Sequence, residues 1–140
     1  MSKEIEFFGS IVKGFGKGKY FLSLKQYREQ FISKLGFDPY PGTLNISLDE
    51  SYLKNREELK KLKPIIINGF VHKKTKYGKV ECYKAKINDI NGAIIIPEKT
   101  NHEEKIIEFI SPKNILESLK LVYGDKVIIK VISYEEDDKY

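Results

Sequence analysis

A single cysteine in 140 residues, Cys82, cannot close an intramolecular disulfide, and beside two scattered histidines, His72 and His102, it makes no zinc-ligand spacing. A disulfide scaffold and a zinc ribbon are both excluded. Proline is scarce too, at 5, and with 41% hydrophobic and 32% charged residues this excludes a disordered or collagen-like chain. No stretch approaches the roughly 18 consecutive apolar residues of a membrane span. The start, Met1-Ser2-Lys3-Glu4, lacks the basic segment and apolar run of a secretory leader. A cytoplasmic protein with no membrane contact is therefore expected. Arginine is nearly missing: Arg28 and Arg56 stand against 23 lysines.

What is abundant is isoleucine (19) and the aromatics (9 Tyr, 8 Phe), in a length of about one domain that can bury a core of its own. A single domain is expected over residues 1–134, followed by an acidic tail at 135–140. That tail holds −3 of a net +5, which leaves the body at +8. Such a body favours anionic partners, whether nucleic acid, nucleotide phosphates or an acidic surface. A lysine- and isoleucine-rich composition equally describes a solvated surface or a hot habitat.

Along the chain, β-branched and aromatic residues predict a strand over Ile5 to Lys13, which runs into Gly14-Phe15-Gly16-Lys17-Gly18-Lys19-Tyr20. Ser23 with Gln26 reads as a capping box, and Leu24, Tyr27, Phe31 and Leu35 share a helical face that Gly36 terminates. Beyond Asp38-Pro39-Tyr40-Pro41-Gly42, residues Thr43 to Leu48 alternate polar and apolar. This predicts a half-buried strand with Leu44, Ile46 and Leu48 inward and Thr43, Asn45 and Ser47 on an exposed face. Residues 51–63 are a surface helix or a loop. Strands are predicted at Ile65–Ile67 and Lys79–Ile87, a hairpin turn at Asn91-Gly92, and a strand over Ile106–Ile110. Ser111-Pro112 reads as the N-cap and first position of a short helix ending near Lys120, before a last strand over Lys126–Ile132. Six or seven short strands without regular strand–helix alternation argue for a closed or nearly closed β-barrel.

Three constellations are candidates for chemistry. Glycines allow backbone N–H groups to approach phosphate while Lys17 and Lys19 add charge, yet the run matches neither the P-loop nor the dinucleotide fingerprint. Read alone, it is a turn first and a phosphate cradle second. Thr43 and Asn45, two residues apart on one strand face, can both reach a hard cation such as Mg²⁺, although in isolation they read as ordinary solvent-facing residues. His102 suits a proton shuttle, but a loop histidine is more simply solvated. Glu108 alternates with Ile107 and Phe109 and so points away from the core, toward solvent or a ligand. Cys82 is read as a small buried hydrophobe.

In order and spacing, Gly14-Phe15-Gly16-Lys17-Gly18-Lys19-Tyr20-Phe21, Gly36-Phe37-Asp38-Pro39-Tyr40-Pro41-Gly42-Thr43-Leu44-Asn45 and Gly92-Ala93-Ile94-Ile95-Ile96-Pro97-Glu98-Lys99-Thr100 resemble the archaeal CTP-dependent riboflavin kinases. The similarity runs from about Phe7 to Ile132. It implies a mainly β protein, a compact six-stranded cradle-loop barrel related to RIFT barrels, with two or three short helices. It also implies transfer of the terminal phosphate of CTP to the 5′-hydroxyl of riboflavin, giving FMN and CDP. Carried over, the nucleotide loop falls on Phe15, Gly16, Lys17, Gly18, Lys19 and Tyr20, with a second nucleotide segment on Lys113, Asn114, Ile115 and Leu116. The Mg²⁺ ligands fall on Thr43 and Asn45, and the flavin contacts on Thr100 and Glu108; the catalytic base is unassigned. Family members can carry a basic residue near the position of Leu116, where this chain has only Lys113 nearby. A monomer is expected, with no nucleic-acid partner. The alternative is a small basic β-barrel that binds RNA or DNA through loops such as Lys73 to Lys79, against which stands the near absence of arginine.

Overall fold

The computed structural model describes residues 4–14, 16, 18–98 and 104–132. The acidic tail lies outside the described residues. Among the described residues nine strands, four short α-helices and a 3-10 turn at Glu50–Tyr52 follow one another as β1 (Glu4–Val12), α1 (Gly18–Ser23), α2 (Lys25–Leu35), β2 (Leu44–Leu48), α3 (Asn55–Lys60), β3 (Ile65–Ile67), β4 (Phe70–His72), β5 (Thr75–Tyr77), β6 (Val80–Ile87), β7 (Ile90–Pro97), β8 (Ile106–Ile110), α4 (Ile115–Leu119) and β9 (Lys126–Ile132). The sheet order is β3-β6-β7-β8-β2-β1-β9, and β9 also pairs with β6 through Ala85↔Val131 and Lys86↔Lys130. That second pairing closes a six-stranded antiparallel barrel, β6-β7-β8-β2-β1-β9, with β3 laid on the free half of β6. Closure removes the exposed edges that an open sheet presents.

The period-two pattern of each strand divides its side chains between two cores. Phe7, Ile11, Ile46, Ile94, Phe109 and Ile129 fill the barrel interior. Cys82, Ala93, Ile95 and Ile110, on the outer wall, meet Tyr27, Phe31 and Leu35 of α2. Each fully buried aromatic contributes about 1.5–3 kcal/mol from area removed from water. The 4–5 hairpin joins this outer core: Phe70 and Tyr77 stack at 5.0 Å, and Tyr27 meets Phe70 edge-on at 4.7 Å. The Tyr27 hydroxyl donates to the Gly78 carbonyl at 2.6 Å.

Three local expectations shift. Ser23 is not the cap of the amphipathic helix; it ends α1, its hydroxyl donating to the Tyr20 carbonyl at 2.6 Å, and α2 begins after Leu24 with no side-chain cap. Gly36 terminates α2 as expected, at φ 87°. The β6–β7 turn falls on Asn88-Asp89, between the pair Ile87↔Ile90, and Asn91-Gly92 lies within β7. Gly92 is a glycine for another reason, since a Cβ there would overlap the Ile110 carbonyl oxygen. α4 is capped by Asn114, whose side chain accepts from the Glu117 N–H, and not by Ser111. The basic segment near Lys73 is itself a hairpin, its two turn residues Lys73 and Lys74 held at φ 50° and 68°.

Candidate functional site

One rim of the barrel gathers the end of β1, the start of β2, the end of β8 and the approach to α4. Register sets the neighbours there: Val12 pairs with Asn45 across β1–β2, and Asn45 pairs with Glu108 across β2–β8. Residues directly opposite in an antiparallel pair share a face, with Cβ atoms roughly 4.5–5.5 Å apart. Asn45 and Glu108 therefore stand side by side on the outer wall, opposite in sense to the buried Ile46 and Ile107.

Asn45 does not occupy the exposed face that alternation predicts; it is 6% exposed. Alternation tells which face a side chain takes, not what covers that face. Here the chain leaving β1 folds over it. A Cβ on Gly14 would overlap the Asn45 amide nitrogen and lie 2.8 Å from its Cγ, and one on Gly18 would sit 3.0 Å from the Thr43 N and Oγ1. Glycine at both positions lets the segment lie directly on Thr43 and Asn45.

The Asn45 amide is only loosely held. Its Nδ2 donates to the Thr43 carbonyl at 3.3 Å and to Thr43 Oγ1 at 3.5 Å, while its Oδ1 is buried with no hydrogen-bond partner among the described residues. A buried oxygen without a donor costs about 1–3 kcal/mol. A half-turn of the amide exchanges the two atoms and brings the oxygen beside Thr43 Oγ1, making two neutral oxygen donors adjacent. Among the described residues no group of three or more His, Cys, Asp or Glu side chains is arranged to hold a metal. A hard cation fits this pair only if a bound anion supplies the charge.

Next to Thr43 opens a cleft of about 170 Å³, walled on one side by Tyr40, Gly42 and Thr43 and on the other by Lys113, Asn114 and Leu116. Its walls are stiff. The Tyr40 N–H donates to the Ser111 carbonyl at 2.8 Å. Ser111, buried, donates its hydroxyl to the Lys113 carbonyl at 2.5 Å, and Asn114 Oδ1 caps α4 by accepting from Glu117 N at 3.2 Å. Ile115 anchors the far wall in the barrel interior, and Lys113 is exposed.

The structure thus brings Thr43, Asn45 and Glu108 together with the segment Lys113 to Leu116. Gly16 sits at φ 81° with open space around it, Gly18 starts α1, and Lys19 and Tyr20 are exposed. Tyr20 does not line the cleft; its hydroxyl lies 3.4 Å from that of Tyr77, and this hydrogen bond raises the pKa of the Tyr77 hydroxyl. Phe15, Lys17, Thr100 and His102 lie outside the described residues. Sequence reasoning missed Gly14, whose neighbour Asn45 is distant in the chain, and Tyr40, for which the flanking prolines were the available signal.

A family model, CTP-dep_RFKase, described as "Domain of unknown function DUF120", matches residues 11–131. Curated relatives named "Riboflavin kinase" include one from Ignicoccus hospitalis, 44% identical over 94% of this chain and 73% of its own length. Another, from Pyrobaculum aerophilum, is 42% identical over 91% of this chain and 61% of its own length. A third, from Archaeoglobus fulgidus, is 43% identical over 89% of this chain. The chain spans 53% of that third relative's length and 61% of the second's.

Proposed function

From the premise that this chain belongs to the CTP-dependent riboflavin kinase family, we propose that it transfers the γ-phosphoryl group of CTP to the 5′-hydroxyl of riboflavin. In this reaction the hydroxyl oxygen bonds to the γ-phosphorus, the bond from that phosphorus to the β–γ bridging oxygen breaks, and CDP leaves as the hydroxyl proton is released. Phosphoryl transfer asks a protein for positioning and charge neutralisation more than for covalent chemistry. No protein nucleophile is needed.

The observation that carries the reading is the pair Asn45↔Glu108 beside the cleft, with an orphaned oxygen on Asn45. Thr43 and Asn45 would hold Mg²⁺, which when bound to the triphosphate offsets its negative charge. Thr43 also borders the cleft that Lys113 to Leu116 complete, so one residue serves both metal and nucleotide. The glycine segment, resting on Thr43 and Asn45, supplies backbone and Lys19 close to the phosphates. Glu108, on the neighbouring strand, accepts hydrogen bonds from riboflavin and orients its side-chain hydroxyl toward the phosphate. Thr100 completes the flavin contacts.

The test is a chromatographic assay for FMN with riboflavin, Mg²⁺ and each of the four nucleoside triphosphates in turn. FMN forms with CTP and disappears on chelation of the metal. Equal or better turnover with ATP refutes the nucleotide assignment, and no FMN with any donor refutes the reaction.

A further inference from the structure

Tyr40 stands in the segment that carries Thr43 and Asn45 but has no role assigned to it there, and it lines the cleft beside Thr43 with 43% of its surface exposed. An exposed tyrosine is unremarkable when it is free to move. Tyr40 is not. It lies between Pro39, which is buried, and Pro41, both with φ fixed by their rings, and its own N–H is tied to the Ser111 carbonyl at 2.8 Å.

Its hydroxyl is held as well, and in a defined sense. Asn114 Oδ1 is committed to the Glu117 N–H as the cap of α4, so the amide nitrogen must face the other way. That nitrogen donates to the Tyr40 hydroxyl at 3.3 Å. The hydroxyl oxygen is therefore the acceptor in this bond, and its proton remains available as a donor. The cleft it borders, at about 170 Å³, falls below the roughly 300–1,000 Å³ of a site that encloses a whole drug-sized ligand. It has room for one nucleobase, with ribose and phosphates extending out toward Thr43 and Lys113.

We propose that Tyr40 reads the nucleobase, its side chain closing one end of the cleft that a pyrimidine enters and its hydroxyl donating to the acceptor edge of that base. Cytosine presents adjacent acceptors at N3 and O2, where uracil has an N–H at N3. Tyr40 is thus a specificity-determining residue, and Asn114 positions it. The inference rests on the phosphoryl-transfer reading above.

Tyr40→Phe and Tyr40→Ala, made in the full chain, test it through steady-state kinetics with CTP, UTP and ATP and through calorimetric titration of CDP with Mg²⁺. Tyr40→Phe keeps the ring and loses the donor; KM for CTP rises about three- to tenfold, the size of one neutral hydrogen bond, while kcat holds and the preference for CTP over UTP narrows. Tyr40→Ala also removes the apolar wall of the cleft and raises KM for CTP roughly 10- to 100-fold. Riboflavin affinity, read by fluorescence quenching, stays at the wild-type value in both. A merely structural tyrosine would shift all nucleotides and riboflavin together, leaving the CTP-to-UTP ratio unchanged, and that result overturns the proposal. So does wild-type CDP affinity in Tyr40→Phe and Tyr40→Ala, or in Tyr40→Phe alone should the alanine variant not fold. Absence of FMN from the wild-type protein with every donor overturns the functional reading instead; CDP binding then still tests the base site.

Discussion

Replacing Asn45 by alanine separates what the buried amide costs from what it is for. In the free protein its Oδ1 is buried without a partner among the described residues, a cost of about 1–3 kcal/mol that the substitution removes. Against this, the cavity and lost packing of a few atoms cost on the order of 1 kcal/mol. The two nearly cancel, so the free variant melts within a few degrees of the wild type. Ligand linkage behaves differently. With CDP and Mg²⁺ at about 100 times Kd, binding stabilises the wild type by about 2.7 kcal/mol. Unfolding entropy of roughly 2.1 cal/mol/K per residue amounts to about 0.3 kcal/mol/K for this chain, so Tm rises by about 9 °C. If losing the amide raises Kd about 100-fold, the same ligand concentration gives about 0.4 kcal/mol, a shift of about 1 °C. Thermal melts with and without ligand read both quantities in one experiment. A free variant about 10 °C less stable that keeps the full ligand shift would refute the reasoning, because Asn45 would then be a structural residue.

Gly14→Ala is expected to reproduce the loss of the ligand shift from the opposite side, because its Cβ would overlap the Asn45 amide nitrogen; an unchanged shift with unchanged circular dichroism would show that the segment moves freely. Glu108→Ala is expected to weaken riboflavin binding roughly tenfold or more, read by fluorescence quenching, while the shift with CDP and Mg²⁺ stays near the wild-type value. Equal weakening of both ligands would sink the division of labour between Asn45 and Glu108. Burial pushes the Cys82 thiol from 9.0 up to about 12, and Tyr27 from 10.0 up to about 12. A raised native pKa means that stability is fully present below the unfolded value and is lost as pH climbs toward the native one. Tm is therefore expected to hold up to about pH 9 and fall progressively above it, with Cys82 unreactive to an aromatic disulfide reagent at pH 8 until denaturant is added. Stoichiometric labelling of the native protein at pH 8 would contradict the burial.

Where the chain's pattern and its local chemistry agree, the elements were legible in advance. The stripe of Tyr27, Phe31 and Leu35 marked the buried face of α2, and Gly36 its end. The alternation of Lys126 to Ile132 marked β9, whose burial follows the same period of two. The proximity of Thr43 to Asn45 needed only the pleat of a strand. Competing local signals were not decidable in this way. Asn88-Asp89 and Asn91-Gly92 both suit a hairpin turn; packing of Gly92 against the Ile110 carbonyl and the Phe109 ring chose between them. Ser111 and Asn114 both suit an N-cap, and Ser111 was claimed instead by the turn at Lys113.

The site itself belongs to tertiary structure. That Asn45 is buried depends on Gly14, and that Glu108 stands beside it depends on the register of β2 with β8, a pairing between strands about 60 residues apart in the chain. The cleft exists because the Tyr40 N–H finds the carbonyl of Ser111. A sequence by itself states which side chains share a face, because that follows from bond geometry within a few residues. What lies across from that face, and what covers it, is settled by which distant strands pair and how their cores fill, and that is where Asn45, Glu108 and Tyr40 acquire their neighbours.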